Sequence, residues 1–184
     1  NYDKTKVILS KNIGMGSANN IGIFRSNTQY VYVLNPDVIL KKDTFINVNK
    51  SISSLENFAI LSPISDNLNF PNYKTKKQNR TLDNNMIQNV DEIDGYSMII
   101  NKNYFSDNVY FDEKFFMYLE NVDLCLRAKN MGGKIFIIKN SKIHHLGSQA
   151  VDDKYSKEVE LSRNWHWMWS KCYFNKKHRG TLIS

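Results

Sequence analysis

Residues 30–34 (YVYVL) are apolar or aromatic at every position, the pattern of a strand covered on both faces. They run into Asn35-Pro36-Asp37, a turn signal. The same reading takes 6–9 (KVIL), 59–62 (AILS), 97–100 (SMII) and 134–138 (KIFII) as short buried strands. Between them lie helical stretches: 17–26 with Ser17 as its N-cap, 42–55, 118–130 stopped by Gly132-Gly133, and a long helix over 153–177. Residues 66–86 are polar, rich in Asn and hold Pro71, and read as a long loop. Strands thus alternate with helices. This predicts an α/β domain with a mainly parallel sheet flanked by helices, binding ligands at the carboxyl ends of its strands.

Composition fits an ordinary globular chain, since 41% of residues are hydrophobic and 23% charged. The 184 residues suit one domain with a sizeable core. No stretch reaches the roughly 18 apolar residues of a membrane-spanning helix, and the polar opening with its short VIL run is no signal peptide. Cys125 and Cys172 match no metal-ligand spacing and read as reduced thiols in the cytoplasm. The net charge of +7 favours anionic partners. Richness in Lys, Asn and Ile together can also reflect genome composition. No recognised nucleic-acid module or basic–aromatic alternation is present, so nucleic acid is not an expected partner.

Candidate chemistry lies in three places. Asp37 ends the best strand, where a carboxylate can hold a divalent cation that also binds a diphosphate. In the helix over 118–130, Glu120, Asp123 and Arg127 share one face at i, i+3 and i+7, opposite Leu119, Val122 and Leu126. His144-His145 follows the strand at 134–138, and the two rings point in different directions. The last helix carries Trp165, Trp169 and Cys172 on one face and ends in a basic run, 175–179 (NKKHR). Two readings of it stay open: aromatics packed on the sheet with a solvated tail, or aromatics at a membrane interface with cations on anionic lipid.

Taken in order, five blocks resemble the rhamnosyltransferase-like branch of bacterial family-2 glycosyltransferases, which have the GT-A fold. They are Asn12-Ile13-Gly14-Met15-Gly16 with 18–23 (ANNIGI), then Leu34-Asn35-Pro36-Asp37-Val38, then Asp94-Gly95-Tyr96-Ser97-Met98, then 111–127, then His144 with Gly147-Ser148. Order and spacing match over nearly all of the chain up to Gln149. The resemblance implies a GT-A domain over 1–150 and an aromatic, basic helix over 151–184. It implies Asp37 and His144 as contacts of a Mg²⁺ or Mn²⁺ ion and donor diphosphate. Asn12, Gly14, Asn20 and Asn35 would border the nucleotide, and Gly95 and Tyr96 the sugar and acceptor. The reaction implied is inverting transfer from a UDP- or dTDP-sugar, rhamnose among the candidates, to a saccharide or lipid-linked acceptor. It would take place in the cytoplasm or peripherally on the inner face of the cell membrane.

Two departures stand out. The family usually reads Glu-Asp before Val-Asp-Leu, with the Asp as general base; here the pair is Glu120-Asn121. Either Glu120 or Asp123 serves instead, or the chain is an impaired relative that binds without turnover, or Asn121 is a substitution in an otherwise intact site. Family members also open with a first strand and an acidic residue on the nucleobase and ribose. Nothing before Asn12 corresponds, so the fold is expected to be N-terminally incomplete.

Overall fold

The computed structural model describes residues 4–55, 57–75, 86–105, 109–147 and 156–180. In chain order these form α1 (Met15–Arg25), β1 (Tyr30–Leu34), β2 (Val38–Leu40), α2 (Thr44–Ser54), β3 (Ile60–Ser65), β4 (Tyr73–Lys74), β5 (Ile87–Asn89), β6 (Glu92–Ile93) and β7 (Ser97–Asn101). A single turn of 3₁₀ helix, Lys102–Tyr104, precedes α3 (Glu120–Asn130), β8 (Ile135–His145) and α4 (Ser156–Arg179).

Six strands make the central sheet in the order β1-β7-β3-β8-β2, with β5 also on β8. The small pair β4-β6 stands apart. Side chains on the two faces of the sheet enter two separate cores. Ile60, Met98, Ile100, Ile135 and Ile137 pack with Ile23 of α1 and Leu124, Cys125 and Ala128 of α3. Leu61, Ile99 and Ile138 pack with Val48 of α2. Burial on both faces is why these strands read as unbroken apolar runs.

The sheet is mixed, not mainly parallel. Among the described residues only β3 and β8 pair in parallel; β1–β7, β3–β7, β2–β8 and β5–β8 are antiparallel. The βα alternation does set β1, β3 and β8 running one way. But β7 inserts in reverse between β1 and β3, and the apolar pattern of a strand covered on both faces carries no sign of direction. Pro63 sits inside β3 and cannot donate to the ladder; the register with β8 shifts immediately after it.

Three further elements differ from expectation. Residues 6–9 form no strand, and Val7 and Leu9 are 81% and 92% exposed. No described strand pairs with them, so their backbone has no ladder to join. Helix α1 starts at Met15 and not at Ser17, because Gly14 at φ 87° turns the chain into the helix while Asn12 Oδ1 accepts its N–H. Strand β8 runs on to His145 and so carries both histidines, where the sequence pattern had ended it at 138.

Candidate active site

The turn Asn35-Pro36-Asp37 reverses the chain from β1 into β2. Asn35 N–H donates to the Tyr96 carbonyl, and Leu146 N–H to the Asp37 carbonyl. These bonds tie the turn to the start of β7 and the end of β8. Register then pairs Val38 with His145 and Ile39 with His144. His145 Nε2 lies 3.2 Å from Asp37 Oδ2, each side chain about a quarter exposed. The His145 ring stacks on Tyr96 at 4.0 Å between centroids and 16° between planes. His144 meets a different group: its Nδ1 is 2.8 Å from Asp66 Oδ1, and Lys41 lies 3.0 Å from the same carboxylate. Burial alone would raise the Asp66 carboxyl, but the His144 and Lys41 hydrogen bonds outweigh it and hold it below its ordinary value. His145, not His144, is therefore the histidine beside Asp37.

Asp94-Gly95-Tyr96 closes the other side. Asp94 N–H donates to the carbonyl of Asn72, a buried residue whose own amide bonds to Pro63 and Ser65 at the end of β3. Burial pushes the Asp94 carboxyl up, against partial relief from Lys74. Burial likewise raises the Tyr96 phenol, to about 12, although its hydroxyl hydrogen-bonds Ser65. A Cβ on Gly95 would fall 2.9 Å from Met15 Cε, 3.4 Å from Asn121 Cβ and 3.7 Å from Glu120 Oε1. Gly95 thus sets the loop against the starts of α1 and α3, where an added Cβ would press on the flexible end of Met15. Gly14 is the stricter case: at φ 87° it packs on the Phe116 backbone, whose carbonyl oxygen would sit 2.5 Å from a Cβ.

Two residues in the left-handed region, Tyr118 (φ 71°) and Leu119 (φ 64°), deliver the chain into α3. Non-glycine residues there cost roughly 1–2 kcal/mol each. The turn they make starts α3 at Glu120-Asn121, against Gly95. Asn121 Nδ2 donates to the Ile93 carbonyl at 2.8 Å. Glu120 is 3% exposed, and its Oε2 has no hydrogen-bond partner among the described residues. Burial raises its carboxyl above the ordinary carboxylate value.

The structure thus gathers Asp37, His145, Tyr96, Asp94, Gly95, Glu120 and Asn121, with Gly14 and Met15 at the edge. Besides His144, two expected members lie elsewhere. Asn20 is 4% exposed and clamps the 109–113 segment, exchanging both amide hydrogen bonds with the Phe111 backbone. Asp123 is fully buried among Arg127 (2.8 Å), Lys177 (2.6 Å) and His178 (2.7 Å). A carboxylate so engaged fixes α4 to α3 and is not available as a base. Asn12 is exposed and caps the turn before α1. Ser148 lies outside the described residues. Asp94 stood in a motif block without a role, and His145 stood outside the blocks, which named His144; alternation along β8 is the signal that separates His145 from His144.

One carboxylate and one imidazole side by side suit a divalent cation whose other ligands are diphosphate oxygens and water. Among the described residues no group of three or more His, Cys, Asp or Glu side chains could hold a metal alone. The residues therefore fit a metal shared with a ligand and not a closed structural site.

No family model matches the chain. It is 30% identical over 135 residues to the low-salt glycan biosynthesis hexosyltransferase Agl10 of Haloferax volcanii. That match takes in 64% of this chain and spans 44% of the relative's length. In structure the chain resembles GalNAc-T7, solved with UDP, GalNAc and Mn²⁺, at a TM-score of 0.60 and 14% identity, over 72% of this chain and 30% of that one. It also resembles A197 from STIV at a TM-score of 0.53 and 14% identity, over 79% and 72%. The element order and these likenesses together give the chain an α/β fold of the GT-A type.

Proposed function

We propose that this chain carries the donor site of a glycosyltransferase that moves a hexose from a nucleoside-diphosphate sugar to a saccharide or lipid-linked acceptor. The pairing of Asp37 with His145, joined through Tyr96 to the Gly95 loop, carries the reading. The likeness to a hexosyltransferase supports the reaction class. The donor is a UDP- or dTDP-sugar, rhamnose among the candidates. A lipid-linked acceptor would place the reaction at the inner face of the cell membrane.

On this reading Asp37 and His145 hold a Mg²⁺ or Mn²⁺ ion. Bound there, the ion would stabilise negative charge on the departing nucleoside diphosphate as a Lewis acid. Asn12, Gly14 and Asn35 border the nucleotide. Gly95 and Tyr96 border the sugar and acceptor. Glu120 takes the proton of the acceptor hydroxyl, and attack opposite the leaving group inverts the anomeric centre. A carboxylate raised by burial is a stronger base than an ordinary one, which suits that role.

Calorimetric titration of UDP and dTDP, with and without Mn²⁺ or Mg²⁺, tests the donor site. Metal-dependent binding that is lost in Asp37→Ala supports the reading. Absence of nucleotide binding in the unsubstituted chain overturns it.

A second reading rests on Asn121, which stands where the resemblance expects a base and is held by the Ile93 carbonyl. On that reading the chain binds donor without transferring it. A rise in turnover of two orders of magnitude or more in Asn121→Asp, the scale of general-base catalysis, favours the second reading. Unchanged turnover in that variant leaves Glu120 sufficient.

A further inference from the structure

Helix α4 has two unlike faces. One is docked. Ser170 Oγ donates to the Met117 carbonyl at 2.7 Å, His166 stacks on Phe116, and Trp167 meets Tyr118 edge-on. Tyr173 and Lys177 reach Asp112, and Lys177 and His178 reach Asp123. The opposite face is apolar and open. Leu161, Trp165, Met168 and Cys172 follow one another at i, i+4, i+7 and i+11, a single stripe along the helix. Leu161 is 70% exposed, Trp165 57% and Met168 62%. Trp169 flanks the stripe at 50% and stacks parallel on Trp165, with centroids 6.1 Å apart. The exposed cations Lys176 and Arg179 continue the same stripe toward the C-terminus, and Lys171 borders it.

A contiguous exposed stripe of this kind marks an interaction surface. We infer that the free face of α4 lies flat on an anionic lipid surface, with the Trp rings at headgroup depth and Lys171, Lys176 and Arg179 on lipid phosphates. Two observations choose lipid as the occupant. The apolar stripe is built on tryptophans, whose amphipathic rings favour the membrane interface. Its C-terminal polar continuation is cationic, within a chain of net charge +7, and so complements an anionic leaflet. From Leu161 to Arg179 the stripe spans about 27 Å at 1.5 Å per residue. Lying in the plane suits it, because no described helix is long and apolar enough to cross a membrane. The inference stands on α4 alone and is independent of the donor site.

All three tryptophans of the chain lie on α4, so intrinsic fluorescence reports on this helix. Co-sedimentation of the intact chain with phosphatidylcholine vesicles, with and without phosphatidylglycerol, gives the test. Binding at least tenfold stronger to the anionic vesicles is expected. It should weaken with salt and be accompanied by quenching from brominated acyl chains. Trp165→Ser with Trp169→Ser should lower binding at least tenfold, with Trp167 kept as reporter. Lys176→Glu with Arg179→Glu should remove most of the salt dependence. Leu161→Ser provides an independent check if the tryptophan variant loses its circular dichroism spectrum. No binding to anionic vesicles at low salt overturns the inference, as does binding without quenching. A self-association seen by sedimentation equilibrium and abolished by the same substitutions, with no vesicle binding, would assign the face to a second copy and overturn it too.

Discussion

Adjacent side chains on a strand leave opposite faces, so His144 and His145 meet different carboxylates. His145 meets Asp37, and His144 meets Asp66. On the proposed reading His145→Ala should abolish the metal-dependent part of nucleotide binding. His144→Ala should change that affinity less than about fivefold, since a surface pair is worth roughly 0–1 kcal/mol. Titration calorimetry separates the two. Glu120 invites a second measurement. Its carboxyl is raised by burial, so the base form gains population only as pH climbs above the ordinary carboxylate range. Turnover should therefore rise with pH along a limb displaced upward from that range. Glu120→Gln should remove the limb and lower turnover by on the order of 10²–10⁴, with donor affinity retained. A pH–rate profile of both proteins is the check.

Among the elements, α4 depends on α3 through charge. Asp123 is buried against Arg127, Lys177 and His178, and Asp112 accepts from Tyr173 and Lys177. Removing one partner of such a cluster leaves buried charge uncompensated. Asp123→Ala should cost about 3–5 kcal/mol, read as a lower midpoint in urea. Asp112 gives the cluster a pH dependence. Burial alone would raise its carboxyl, but Lys177, the Lys114 backbone and Tyr173 outweigh burial and lower it. A lowered folded value contributes stability above the unfolded carboxylate range, and that stability fades as pH falls through the folded value. The melting temperature of the intact chain should therefore drop more on acidification than that of Asp112→Asn. Thermal melts at a series of pH values compare them.

At the scale of the whole molecule, β7 is the strand that connects the site to the cores. It pairs with β1 on one edge and β3 on the other, and it begins one residue after Tyr96. Ile100 is fully buried within it. Ile100→Ala should cost roughly 2–5 kcal/mol by urea unfolding, the range for truncating a buried aliphatic side chain. Several features were legible in the chain itself, because they are local. Apolar runs located β1, β3, β7 and the first half of β8; Gly132-Gly133 ended α3; motif order brought Asp37, Gly95, Tyr96 and Glu120-Asn121 into one list of candidates. Burial at these positions follows from side-chain chemistry, which a single sequence displays. Other features depended on partners distant in sequence. The direction of β7 was fixed by which strands it lies between. The choice of His145 over His144 was fixed by the β2–β8 register. Asn20 and Asp123 were withdrawn from the site by contacts 91 and 55 residues away, with Phe111 and His178. Residues 6–9 carry the apolar signature of a strand and form none, because a strand needs a neighbour to accept its hydrogen bonds and hydrophobicity alone does not provide one.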